Sequence, residues 1–270
     1  MNDTYIVSIV TFIYFFAAFF YLVSLILRRG LADRTASLLL LLGIAVHTIG
    51  IVFRWIQSYQ LGIGHAPLSN FYESLVFFSW SIIFICLLLM RRNKNGFVGV
   101  VASFSAFIIL AYASLSGRVE ANIQPLVPAL QSNWLISHVV SSFLAYACFT
   151  ISFGSSILYL ISPLIKLRTR RELWDEINYK MISIGFVLLT LGIITGAAWA
   201  DRAWGRYWGW DPKETWSLIT WLVYGAFLHA RLVKGWKGVR MSIISILGFM
   251  AVIFTYLGVN YILSGLHSYL

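Results

Sequence analysis

Charge and cysteine are the two scarcities of this 270-residue sequence. Only 11% of its positions are charged, against roughly 25% in an ordinary soluble domain, while 60% are hydrophobic. Lipid is therefore the solvent for most of the chain. The two cysteines, Cys86 and Cys148, stand far apart and each lies inside an apolar run. That excludes a C-x-x-C redox or metal motif and a disulfide framework, and leaves any thiol chemistry to a partner. No internal repeat and no low-complexity tract is visible, which counts against a secondary transporter built from duplicated bundles. The first apolar run has no positive flank before it and no small-residue cleavage site after it, so it reads as a retained helix rather than a signal peptide.

What is present in quantity is apolar sequence. Stretches of about 20 residues, long enough to cross a hydrocarbon core of ~30 Å, occur at 5–27, 36–56, 71–90, 96–115, 134–162, 179–199, 214–233 and 241–263. The expected fold class is thus all-α, a polytopic integral membrane protein with about eight transmembrane helices forming a single domain over 1–270. The net charge of +10 would suggest nucleic acid in a soluble protein, but here the basic residues fall in short clusters between the apolar runs. Arg28, Arg29, Arg34, Arg91, Arg92, Lys94, Lys166, Arg168, Arg170, Arg171, Lys180, Arg231, Lys234, Lys237 and Arg240 all fall to one side, and they are 15 of the 20 basic residues. Since cytoplasmic loops carry the excess of Lys and Arg, both termini are expected to be non-cytoplasmic, with the connections at 57–70, 116–133 and 200–213. Nucleic acid is not expected as a partner.

One of those outer segments is crowded with indoles. The stretch W-A-D-R-A-W-G-R-Y-W-G-W-D-P-K-E-T-W holds Trp199, Trp204, Trp208, Trp210 and Trp216, with Tyr207 among them. An aromatic belt at the membrane interface would be spread over all helices, whereas this density is confined to 199–216. The pattern suits a flat apolar platform for a large planar ligand, with Arg202, Arg206 and Lys213 placed to pair its carboxylates. A porphyrin with two propionates meets that description. The run Asp211-Pro212-Lys213-Glu214 has a plainer reading: Asp at the N-cap, Pro at the first helical position and Glu three residues after the cap together predict a helix start.

Imidazole is the side chain most used for axial ligation of haem iron and is uncommon in lipid, so the five histidines carry information. His138 lies just inside the outer end of the fifth span and His267 just past the end of the eighth, bracketing the tryptophan segment. They form a candidate ligand pair. His229 falls well inside the seventh span, toward its inner end, where a histidine is by default a functional-site hypothesis. For His229 and His47 a neutral imidazole satisfied by a hydroxyl on a neighbouring helix is an equally good reading, and for His65, in a loop, it is the better one.

The residues Trp204 to Trp216, W-G-R-Y-W-G-W-D-P-K-E-T-W, resemble the WWD segment of haem-handling proteins, specifically the CcsA or ResC family of cytochrome c biogenesis proteins. His47, then Arg54-Trp55, then G-H-A-P-L-S-N-F-Y-E-S from Gly64 to Ser74 also resemble the earlier outer segment of that family, so the likeness extends over most of the chain. What the resemblance implies is a System II cytochrome c synthase subunit. It would take haem b as substrate and bound ligand and join its vinyl groups to the two thiols of a C-x-x-C-H segment of apocytochrome c. On that reading His138 and His267 are the outer axial ligands of the haem iron and His229 is one ligand of an inner haem station. Trp204, Trp208, Trp210 and Asp211, with Arg202 and Arg206, hold the porphyrin. The chemistry demands positioning and control of the iron rather than an acid or base, so no catalytic side chain is assigned.

The family places the partner ligand of the inner station on a second polypeptide, CcsB or ResB, and no such extra domain is present in this sequence. A separate partner in the same bilayer, either the bacterial plasma membrane or the thylakoid membrane, is therefore expected; whether His47 could substitute stays open. Three other readings compete. A CcmC-type protein would pass haem to a chaperone without forming the thioethers, but the Gly64–Ser74 segment and the eight spans favour the synthase. A b-type electron-transfer cytochrome usually repeats ligand pairs on the same helices, and here each histidine-bearing span carries a single His. An ion-coupled transporter using His229 and His47 would need intramembrane carboxylates, and only Glu73 and Glu214, at span ends, are available.

Overall fold

The computed structural model describes residues 3–27, 30–91, 96–117, 119–164 and 171–263. These residues contain eight helices long and apolar enough to cross a membrane, and no strand. They are α1 (Asp3–Leu27), α2 (Gly30–Gln60), α3 (Phe71–Met90), α4 (Gly96–Leu115), α5 (Asn133–Ile161), α6 (Arg171–Trp204), α7 (Pro212–Val233) and α8 (Val239–Ile253). The last continues through a π-helical turn at Phe254–Gly258 into Val259–Ile262. The chain is an all-α polytopic membrane protein. Its helices group into two compact units, Met1–Gln131 and Ser132–Leu270.

Two helices run well beyond the apolar windows that predict them. α2 begins at Gly30 rather than near 36, and α6 begins at Arg171 rather than near 179. The first two turns of α6 are rich in charge yet place Trp174, Ile177, Asn178 and Met181 on one buried face, the i, i+3, i+4, i+7 pattern of an amphipathic helix. A polar segment can thus extend a span without interrupting it. Lys180, expected in a connection, is accordingly a helical residue, paired with Glu176 one turn earlier.

In the first unit α1 packs along both α2 and α4, and α3 packs on α4. Helices in lipid gain nothing from burying apolar surface against one another, so close packing through small residues decides which faces meet. Gly43 lies under the Tyr14 ring and Gly99 under the Tyr21 ring; a methyl at either would fall about 2.5 Å from a ring carbon. In the second unit α5 and α6 form the most extensive helix pair, and α8 packs on α5 and on α7.

Candidate functional site

The tryptophan segment is half helix and half loop. α6 continues through Asp201, Arg202 and Trp204 and stops at Gly205, whose φ of 71° ends the helix with a Gly205 N–H to Asp201 carbonyl bond of 2.8 Å. Arg202 and Trp204, expected in the connection, are therefore on the last turn of α6, one turn past Trp199, because nothing before Gly205 breaks the helix. The loop proper is residues 205–211. Asp211 is the N-cap of α7: its carboxylate accepts from the Lys213 N–H at 3.1 Å. Glu214 Oε2 reaches back to accept from the Asp211 N–H at 3.1 Å and the Gly209 N–H at 2.7 Å. The predicted capping box is thus present, and it also ties down the loop before the helix. Asp211 is buried in this role.

That clamp holds the loop in an unusual conformation. Trp210 has φ 57°, the left-handed region that non-glycine residues rarely occupy, and its indole is 69% exposed. Trp208 meets it edge to face, with centroids 5.8 Å apart. Tyr207, Arg202 and Arg206 are exposed as well. Among the described residues neither arginine forms an ion pair. The Arg206 guanidinium lies over Gly209, where a Cβ would fall 2.7 Å from Nε.

His138 sits in the second turn of α5. Its Nδ1 lies 2.7 Å from the Gly192 carbonyl of α6, and because a carbonyl can only accept, Nδ1 carries the proton. The ring's lone pair is then on Nε2. A histidine that donates one nitrogen to a backbone carbonyl and keeps the other free is the usual form of a metal-ligating imidazole, with tautomer and orientation both fixed. The imidazole stacks on Trp199 at 6.0 Å and 18°, and Trp199 meets Trp204 at 4.9 Å. His138 is thereby joined to the tryptophan segment through side-chain contacts.

The residues that make room for this ring had no role in the sequence reading. Gly192 and Gly196 form a G-x-x-x-G pair on α6. A Cβ on Gly192 would fall 2.6 Å from Ser142 Oγ, and one on Gly196 2.6 Å from His138 Nδ1. The close approach of α6 to α5, and with it the Gly192 carbonyl contact, depends on both. The motif was legible as a helix-packing pattern inside an apolar run.

The other histidines separate cleanly. His229 is exposed on α7, one turn before its end at Val233. His47 is buried in α2 with Nδ1 3.1 Å from the Tyr14 hydroxyl of α1, while its Nε2 is buried with no hydrogen-bond partner among the described residues. His65 has both ring nitrogens at carbonyl oxygens, Ala66 at 2.8 Å and Gln124 at 3.0 Å, which leaves neither for iron. His267 lies outside the described residues.

The Gly64–Ser74 segment folds into a hub of the first unit. Arg54 of α2 donates through Nε to Glu73 Oε1 at 2.8 Å and through Nη1 to Asp3 and to the Ala121 carbonyl. Glu73 Oε2 accepts from the backbone N–H and the hydroxyl of Ser69, both at 2.8 Å. Asn70 caps α3 by accepting from the Glu73 N–H. All three charged groups are buried. The polar residues of this motif are consumed in holding α1, α2, α3 and the segment at 121 together.

A helical membrane protein with a displayed aromatic loop and a tautomer-fixed histidine beside it is the class that fold and site define. The family model described as Cytochrome C assembly protein matches residues 68–267, and the chain belongs to that family. It is 41% identical over 256 residues to the cytochrome c biogenesis protein CcsA of Guillardia theta, covering 84% of this chain and 83% of the relative. To the CcsA of Chlamydomonas reinhardtii it is 44% identical over 229 residues, covering 81% of this chain and 64% of that one. The CcsA of Prochlorococcus marinus is 39% identical over 256 residues, covering 82% and 79%. Among solved structures, the cytochrome c heme lyase CcmF superposes with a TM-score of 0.71 at 16% identity over 95% of this chain. The chain spans about half of that protein's length, 47%, so the likeness concerns the fold.

Proposed function

We propose that this chain is the membrane subunit of a cytochrome c synthase, acting as a holocytochrome c synthase with a separate CcsB/ResB-type membrane partner. Its place in cytochrome c maturation follows from the family; the assignment of haem to particular residues is our reading. The observation that carries it is the His138 contact, in which the Gly192 carbonyl fixes the proton on Nδ1 and leaves Nε2 as the ring's one lone pair.

The residues fit a haem. His138 Nε2 and His267 would ligate the haem iron. Trp208 and Trp210, held by the Asp211–Glu214 capping box, offer apolar ring surface, and Arg202 and Arg206 supply cations for the propionates. His229, exposed on α7, faces outward from its unit and is placed to share an inner haem with a ligand from the partner. The grouping of 15 of the 20 basic residues supports a non-cytoplasmic tryptophan loop, where apocytochrome c would be met. Each thioether forms when a cysteine sulfur bonds one vinyl carbon and the thiol hydrogen ends on the other, with no net redox change. The chain's part would be to hold the ring and fix the iron's ligands, a contribution of positioning rather than of proton transfer.

The test is the visible spectrum and haem content of the detergent-purified protein, alone and co-expressed with its CcsB-type partner. The same measurements follow for His138→Ala, His267→Ala and His229→Ala. The expected result is co-purified haem whose axial-ligand spectrum changes in the two outer variants and whose total falls in His229→Ala. Absence of haem from every form, with the partner present, overturns the ligand roles.

A further inference from the structure

Helix register in the second unit gathers buried polar groups into one layer. α5 and α6 are antiparallel, with His138 and Ser142 beside Gly192 and Cys148 and Phe149 beside Gly185. Carrying that register along both helices brings Ser156 level with Asn178. α5 and α8 are also antiparallel, since Ser152 meets Ser245 at 3.2 Å and Tyr159 lies against Gly238. One turn in from the second contact, Ser156 is level with Ser242. α6 and α8 close the set: Asp175 Oδ1 accepts from the Gly238 N–H at 2.9 Å, and Asn178 and Ser242 each stand about one turn further along.

Ser156, Asn178 and Ser242 are all at least 99% buried. Ser156 Oγ, Ser242 Oγ and both amide atoms of Asn178 have no hydrogen-bond partner among the described residues. Two turns further toward His138, the Tyr224 hydroxyl is likewise buried and unpartnered, its ring stacked on Phe149 at 3.8 Å. The Ser152–Ser245 pair lies between. On the other side of the layer lies the Asp175–Arg231 ion pair, 2.7 Å. The large majority of buried polar atoms in folded proteins are satisfied, by protein or by ordered water, and lipid offers them nothing. Polar groups that share one layer without bonding each other are the kind of site that holds a bridging water, which makes two to four such bonds where there is room for it.

We propose that the second unit contains an internal water-binding site, formed by Ser156, Asn178 and Ser242, flanked at one end by Asp175–Arg231 and reaching to the Tyr224 hydroxyl at the other. Its ligand is ordered water, and the site makes the end of the unit remote from the tryptophan loop hydrated rather than dry. It stands apart from the haem reading and does not depend on it.

The test is X-ray hydroxyl-radical labelling of the full chain in detergent, since radicals formed from bound water oxidise buried side chains next to it. Met181 and Met241, both buried and flanking the layer, are the reporters. The expected result is that both are labelled in the wild type and that labelling is lost in Asn178→Leu, whose melting temperature falls because water-mediated bonds are removed. Unlabelled methionines in the wild type, labelling unchanged in the variant, or a higher melting temperature in Asn178→Leu would each overturn the proposal. The last is the behaviour of an unsatisfied amide in a dry core. Should Asn178→Leu not fold, Ser242→Ala gives the same two readouts with a smaller change of volume.

Discussion

The two polar motifs of this chain, Gly64–Ser74 in the first unit and Trp204–Trp216 in the second, are used in opposite ways. In the first, the buried Glu73 is turned on Arg54, which also holds Asp3, and on Ser69, while the buried His65 is held by the Ala66 and Gln124 carbonyls. In the second, Trp210, Tyr207, Arg202 and Arg206 face outward, and the bonds that exist hold the backbone rather than those side chains. A motif whose polar groups are consumed internally positions helices. A motif that fixes its backbone and displays its side chains is built for something that is not part of the chain.

Substitutions can break or sharpen this contrast. Removing one member of a buried charge network leaves the others uncompensated, so Glu73→Ala should lower stability by about 3–5 kcal/mol. Thermal unfolding in detergent measures it; a variant that melts like the wild type but loses haem would move Glu73 from structure to site. Gly196→Val drives a branched side chain into the His138 ring, which a Cβ would already approach to 2.6 Å. An overpacking cost of about 1–3 kcal/mol is expected, with an altered haem ligand spectrum. An unaltered spectrum would detach the ring's position from its role.

Asp211→Ala removes the α7 cap and should cost about 0.5–2 kcal/mol, together with part of the haem loading as the loop loosens. If loading is unchanged, the cap serves the helix alone. Trp210→Ala sits at the small end for stability, within about 0.5 kcal/mol, because the indole is exposed. Its haem content should nevertheless fall well below wild type. Full loading in this variant would return the loop to an interfacial anchor and erase the contrast with the first unit.

Much of this was legible in the residues. Eight apolar runs of spanning length gave eight spanning helices, since backbone groups in lipid must be satisfied within a helix or a closed barrel. The capping box at Asp211–Glu214 was readable because its bonds are local, between residues three apart. The ends of α2 and α6 were not, because polar residues on an amphipathic turn look like a connection until the buried face is known. Nor was the sorting of the histidines, since His65's contact with the Gln124 carbonyl and His47's with Tyr14 join residues far apart in sequence.

The sequence by itself determined that the chain lives in lipid, how often it can cross, where the tryptophan-rich segment lies and which family's motifs it carries. Those properties depend on composition and on short spacings. Only the tertiary structure decided that His138 holds its proton on Nδ1 against Gly192, that Gly196 makes room for the ring, and that the Arg54–Glu73 hub is closed. It also decided that Ser152 meets Ser245 and that Asp175 meets Gly238, the contacts that set the register of α5, α6 and α8. Each of these depends on which faces of distant helices meet, and in a bilayer that choice is made by shape and hydrogen bonding between helices rather than by hydrophobicity.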